Sequence, residues 1–170
     1  LSFIVTDAAI PSKLLQKMLG RVADATYNRL SVDGEGSTSD TVVLMASGAC
    51  GGASMRAGSD SARRFEAALH AVCEDLTRQL ARDGEGATKL VIVDVAGARN
   101  ADEADRAVRR IGNSMLVKTA IFGGDPNWGR IMQTIGAERI PWHPEKTRVR
   151  VGGVAVFAKG RSAGPAARAR

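Results

Sequence analysis

The chain has 170 residues, 44% of them hydrophobic, 25% charged and only 4% aromatic, with a formal net charge of +6. That length favours one domain able to bury most of its apolar surface, and that composition excludes a disordered or collagen-like chain. No apolar run approaches the roughly 18 residues of a membrane span, and the opening residues lack the basic flank of a secretory signal. The cytoplasm is therefore the expected compartment. The two cysteines, Cys50 and Cys73, fit no metal-binding spacing and read as reduced thiols. Most of the positive excess lies in Lys159, Arg161, Arg168 and Arg170. Elsewhere acids and bases are mixed, as in Arg99–Arg110, which is the pattern of a solvated helix face. No nucleic-acid partner is expected, because the basic tail has no aromatic residue for base stacking.

In chain order, Leu1–Val5 (LSFIV) reads as an apolar strand. Pro11 suits the first turn of a helix, where a missing N–H costs nothing. Leu14, Leu15, Met18, Leu19, Val22 and Ala25 then recur at helical spacing, and the helix is expected to end near Asn28-Arg29. Thr41–Ala46 (TVVLMA) is a β-branched apolar run before glycines, read as a buried strand. Phe65, Leu69, Val72, Cys73, Leu76 and Leu80 share one face of a second helix. Leu90–Val95 (LVIVDV) predicts another strand, and Ala104, Ala107, Val108, Ile111 and Met115 a third helix. Asp125-Pro126 looks like an N-cap followed by a first-turn proline, opening a helix through Ile131 and Ile135. Arg148–Phe157 predicts a final strand, and Ala158–Arg170 a disordered basic tail. The order β-α-β-α-β-α-α-β indicates an α/β or layered α+β fold, with helices packed on a sheet, over residues 1–157.

Four stretches could carry chemistry. Asp33-Gly34-Glu35-Gly36 and Asp83-Gly84-Glu85-Gly86 are the same tetrapeptide twice. Either copy can be a tight turn, since Gly supplies φ > 0 and Asp caps its own backbone. Either could instead hold a carboxylate, Glu35 or Glu85, against a substrate ammonium. In Phe122–Arg130 (FGGDPNWGR) two glycines precede a capped helix, a geometry that can cradle an anion, although Asp125 would itself occupy that positive end. Cys50, in a glycine turn after a strand, could be a nucleophile only with a histidine partner, and neither His70 nor His143 has an obvious orienting group. His70 and Cys73 are three residues apart, but two ligands do not make a zinc site, so no metal is assigned. Thr38-Ser39-Asp40-Thr41 is a generic polar turn. By themselves these residues form no complete catalytic set.

Three blocks together resemble the bacterial ornithine acetyltransferase family of arginine biosynthesis. They are Tyr27–Thr41 (YNRLSVDGEGSTSDT), Arg82–Lys89 (RDGEGATK), and Val117-Lys118-Thr119-Ala120 followed by Asp125–Ile131 (DPNWGRI). The resemblance runs from Leu1 to about Phe157. It implies an N-terminal-nucleophile-like sandwich, incomplete at both ends, made as a precursor that cleaves itself at an Ala-Thr bond. The new N-terminal Thr would stand two positions before Leu1, so this chain holds no catalytic residue of its own. Leu1 offers an amine but no hydroxyl. The resemblance further implies an acetyl-Thr ester that carries acetyl from N-acetylornithine to glutamate, with no cofactor, and leaves open acetyl-CoA as a further donor. It implies an α-chain partner from the same precursor, which supplies the oxyanion donors, in an α2β2 assembly. Glu85 matches the family's substrate-binding glutamate; Asp125, Asn127 and Arg130 match supporting positions, and Glu35 is assigned to a turn. Ala158–Arg170 departs from the family, whose β-chains continue to an Asn-containing segment that contacts substrate. Three other readings stand beside this one: an N-terminal-nucleophile hydrolase or secondary-metabolism paralogue, a salt-dependent nucleic-acid module, and a non-catalytic remnant.

Overall fold

The computed structural model describes residues 1–163, and the chain divides into two compact units, Leu1–Leu90 and Val91–Arg170. It is a mixed α/β structure with five α-helices and two small sheets. The first unit is a β-α-β-α arrangement: β1 (Ser2–Thr6), α1 (Ser12–Ala25), a 3-10 turn (Tyr27–Arg29), β2 (Val42–Ala46) and α2 (Asp60–Arg82). β1 and β2 pair in parallel, with Phe3 opposite Val43, Ile4 opposite Leu44 and Val5 opposite Met45. The inner face of this pair, through Ile4 and Leu44, packs on a core of Met18, Val22, Ala62, Leu69 and Cys73. Met18 and Cys73 are the largest side chains sealed completely from solvent.

Two details depart from the sequence reading of this unit. Pro11 is the N-cap of α1 rather than its first helical residue: its extended ψ of 137° sets the chain's entry. Val72 and Leu80, expected on the apolar face of α2, are 47% and 38% exposed. The stripe is narrower than the hydrophobic spacing suggested, because α2 packs on α1 and the strands along only one side.

The second unit contains α3 (Ala101–Gly112), α4 (Met115–Phe122), α5 (Trp128–Ala137) and a sheet of β3 (Arg148–Val151), β4 (Val154–Ala158) and β5 (Arg161–Ser162). The third helix of the sequence reading is two helices. Gly112-Asn113 ends α3, and the Ser114 hydroxyl accepts from the Val117 N–H, so Met115 opens α4 instead of closing α3. The strand expected over Arg148–Phe157 is a hairpin that turns at Gly152-Gly153, both at positive φ. Ala158 closes β4 and Arg161-Ser162 pair with it as β5, so the expected tail begins inside a sheet; residues 164–170 lie outside the described residues. Leu90–Val95 forms no strand. Its composition suits a sheet interior, but among the described residues no neighbour offers a ladder, and Val91 and Ile92 stay 46% and 58% exposed.

Two groups in the first unit respond to environment. Burial pushes the Cys73 thiol and the Tyr27 phenol above their ordinary values. The Tyr27 hydroxyl lies near Ser2 and Cys73 without a hydrogen bond of normal geometry. Tyr27→Phe is therefore expected to leave stability unchanged or slightly higher in urea unfolding, whereas Met18→Ala should cost about 2–5 kcal/mol. On the surface, the Arg21 guanidinium grips Glu66 through bonds of 2.6 and 2.8 Å. This holds the Glu66 carboxyl below its ordinary 4.5. A depressed carboxyl stabilises the fold above its unfolded value and loses that contribution as the pH falls through the folded one. Glu66→Gln should accordingly flatten the acid limb of a stability-against-pH curve, by less than about 1 kcal/mol because the pair is solvent-screened.

Candidate functional site

The two Asp-Gly-Glu-Gly turns are neighbours in the first unit. A Cβ built on Gly84 would stand 2.9 Å from Val32 Cγ1, so the turn after α2 rests directly against the residue that leads into the first copy. In the first copy the Asp33 carboxylate accepts from the Glu35 N–H at 2.9 Å, a self-capped turn from which the Glu35 side chain stands exposed. Ser37, Ser39, Asp40 and Thr41 continue it: Asp40 Oδ2 accepts from the Ser37 N–H, and Ser37 Oγ from the Ser39 N–H. This segment is a scaffold that delivers the chain to β2.

The second copy is built differently. Asp83 caps α2, its N–H donating to the Gln79 carbonyl, and the Ala87 N–H closes the turn on the Gly84 carbonyl at 2.8 Å. Gly86 has φ +72°, the left-handed region that favours glycine. Here Asp83 makes no side-chain bond to the backbone two residues on. Glu85 projects from the turn, exposed, and makes no hydrogen bond or ion pair with the described residues. An uncommitted carboxylate on a hydrogen-bonded turn can receive a cationic group.

Asp125, Asn127 and Arg130 come together in the second unit. The cap of α5 is Asn127, two residues later than the sequence suggested: its Oδ1 accepts from the Arg130 N–H at 3.1 Å. Asp125 is instead the partner of the cap, its Oδ2 accepting from Asn127 Nδ2 at 2.9 Å. The helix starts at Trp128, so Asp125 and Pro126 lie before the cap. Arg130 Nη1 donates to the Leu116 carbonyl at 2.8 Å and to Thr119 Oγ1 at 3.1 Å, lashing α5 to α4. Trp128 stacks on Phe157 with ring centroids 4.7 Å apart, as a core anchor. This block positions backbone; none of its three polar side chains is left available in the way Glu85 is.

Cys50 is exposed beside Gly51 and Gly52, and its N–H donates to the Asp7 carbonyl. An open depression of about 370 Å³ lies nearby at the carboxyl ends of β1 and β2, lined by Val5, Thr6, Asp7, Met45, Ala46 and Ser47. Thr6, Asp7 and Ser47 stand at and just after the ends of the two parallel strands, the side of α/β sheets where ligands gather. Among the described residues no three His, Cys, Asp or Glu side chains converge as metal donors, and no helix is long and apolar enough to cross a membrane.

The profile of the ArgJ family matches residues 1–170. The chain belongs to the ArgJ family. It is 45% identical over 157 residues to the arginine biosynthesis bifunctional protein ArgJ of Listeria monocytogenes, covering 92% of this chain and 39% of that protein. It is 47% identical over 150 residues to the glutamate N-acetyltransferase of Methanopyrus kandleri, covering 88% of this chain and 38% of that protein. The crystal structure of the arginine biosynthesis bifunctional protein from Bacillus halodurans superposes with a TM-score of 0.90 at 42% identity, covering 96% of this chain and 76% of that one. The chain thus spans about two fifths of the length of such relatives and shares the fold of the solved ArgJ-family chain over nearly its whole extent.

In the second unit, Asn127→Ala should lower thermal stability by about 1 kcal/mol through loss of the α5 cap. Asn127→Ser should retain most of it, since a hydroxyl also accepts from a helix-start N–H and sets no second carboxylate against Asp125. A calorimetric scan of the two variants separates a capping role from any other.

Proposed function

We propose that this chain is part of an acetyltransferase that moves acetyl from N-acetylornithine to glutamate in arginine biosynthesis. The observation that carries this reading is the 45–47% identity to relatives named for arginine biosynthesis and for glutamate N-acetyl transfer. The nucleophile is the hydroxyl of a Thr two positions before Leu1 in the parent precursor, freed by self-cleavage, and its own α-amine is the general base. The hydroxyl oxygen attacks the acetyl carbonyl of N-acetylornithine, an ester forms, and ornithine leaves with the proton. The amine of glutamate then attacks the ester, giving N-acetylglutamate and restoring the hydroxyl. Acetyl-CoA, if it is a second donor, enters through the same ester.

Glu85 is the substrate-binding residue of this chain. Its carboxylate pairs with the ammonium of ornithine or glutamate, a charge-assisted contact worth about 1.5–3 kcal/mol. The exposed, unpaired state of Glu85 supports this role, and the bonds that already occupy Asp125, Asn127 and Arg130 support a shaping role for those three. The partner is the α-chain of the same precursor, in an α2β2 assembly, and the setting is the cytoplasm.

In the complete parent enzyme, Glu85→Gln should raise KM for the amino-acid substrates by about tenfold or more, with a smaller change in kcat. Steady-state kinetics with unaltered constants would rule Glu85 out. Intact-mass analysis of the expressed parental gene should show two chains, the smaller beginning Thr-Met before Leu1. A single uncut chain would end the N-terminal Thr mechanism.

A further inference from the structure

The sheet of the second unit turns its bulky side chains inward and its arginines outward. Val149 pairs with Phe157 and Val151 with Val154 across the β3–β4 ladder. A register shift after Val149 leaves Val156 and Phe157 both buried, so Ala155 and Ala158 fall on the outer face, opposite Arg150 and Arg148. On the other side of β4, Ala158 pairs with Arg161. Directly paired residues share a face, so three exposed arginines frame a floor of two alanines. By strand geometry Arg148 and Arg150 stand roughly 7 Å apart along β3, and Arg148 and Arg161 roughly 10 Å apart across β4. Long side chains on those bases can converge above the small floor. In the same unit every arginine of α3 is held by an acid: Arg106 by Asp102, Arg109 by Asp105 and Arg110 by Glu138. Arg148, Arg150 and Arg161 make no ion pair with the described residues. Residues 139–163 carry six Lys or Arg side chains and one acid, Glu145, whose carboxylate lies against Gly160. Like charges gathered on one face repel, whereas a surface kept merely soluble mixes both signs, as α3 does.

We propose that this outer face is an anion site that takes a diphosphate group, free or at the end of a larger ester, between Arg148, Arg150 and Arg161 and above Ala155 and Ala158. The planar fork of a guanidinium pairs bidentately with phosphate oxygens. A diphosphate presents oxygens to more than one fork at once, where a lone carboxylate fills one. The face has no aromatic side chain to stack a base. The phosphates alone are gripped, and whatever they are attached to extends into solvent. Neither N-acetylornithine nor glutamate carries a phosphate, so the site is additional to the acetyl-transfer reading and does not rest on it.

The test is titration calorimetry of the complete parent enzyme at physiological salt, with pyrophosphate and ADP as probes. Both should bind saturably, and AMP and sulfate should bind about tenfold more weakly or worse. Arg148→Gln, Arg150→Gln and Arg161→Gln should each weaken pyrophosphate binding by about tenfold. Arg150→Lys, which keeps the charge but loses the fork, should weaken it less. Arg109→Gln on α3 should leave it unchanged. Circular dichroism checks that each variant is folded, and three separate substitutions at exposed positions keep the test open if one is not. Pyrophosphate binding at least as tight as that of ADP supports a free diphosphate as the occupant, and tighter ADP binding supports an ester; both support the site. ADP binding without pyrophosphate binding assigns the contact to the base and overturns it. An oligonucleotide that binds where pyrophosphate does not marks a nucleic-acid track and also overturns it. So does equal binding of sulfate, the absence of saturable binding, or a pyrophosphate affinity that none of the three glutamine variants moves.

Discussion

The first unit depends on one buried contact zone, where α1 and α2 meet the inner face of β1 and β2. Met18 and Cys73 are sealed there, and Val22, Ala62 and Leu69 complete the zone. A parallel strand pair cannot close on itself through a tight turn; it needs a crossover helix to bring the second strand alongside the first. α1 is that crossover, and it is held to the sheet only by what it buries. The strand register, the start of α2 and the position of the turn that follows α2 are all set downstream of this packing. The Ser2 N–H donating to the Thr41 carbonyl, and the Ser47 N–H to the Thr6 carbonyl, show the ladder extending one residue past each end of the pair.

The second unit uses polar side chains where the first uses apolar ones. Ser114 and Asn127 each cap a helix, Asn100 caps α3 by accepting from the Glu103 N–H, and Arg130 ties α5 to carbonyl and hydroxyl groups of α4. Glu103 is buried, but its carboxylate receives both the Arg99 backbone N–H and the Arg99 guanidinium. These bonds satisfy the N–H groups that helix starts leave open. They explain why so polar a stretch, with small glycine-rich joints, keeps definite geometry.

Much of this was legible in the sequence, and the failures have physical reasons. β1, β2, α1 and α2 are recoverable because apolar spacing reports burial directly. Cys73 was rightly placed in the core by its position on the α2 stripe. Boundaries set by single side chains were less visible: the break at Gly112-Asn113-Ser114 and the shift of the α5 cap from Asp125 to Asn127 depend on which of several eligible polar residues reaches an N–H. Leu90–Val95 shows the other limit, because a strand is a pairwise property and its composition says nothing about whether a partner is at hand. For the site, the duplicated tetrapeptide drew attention to both glutamates without separating them by spacing. The Asp33 cap on the first copy, and its lack in the second, distinguishes the two turns, while both glutamate side chains stay exposed.

The contact between Gly84 and Val32 links positions about fifty residues apart. It makes the placement of the Glu85 turn a joint property of two segments. A methyl group at position 84 has to displace Val32 Cγ1, and a bulkier residue at position 32 has to displace the turn. A side chain at position 84 therefore calls for a shift of Val32, and the glycine spares the turn that shift.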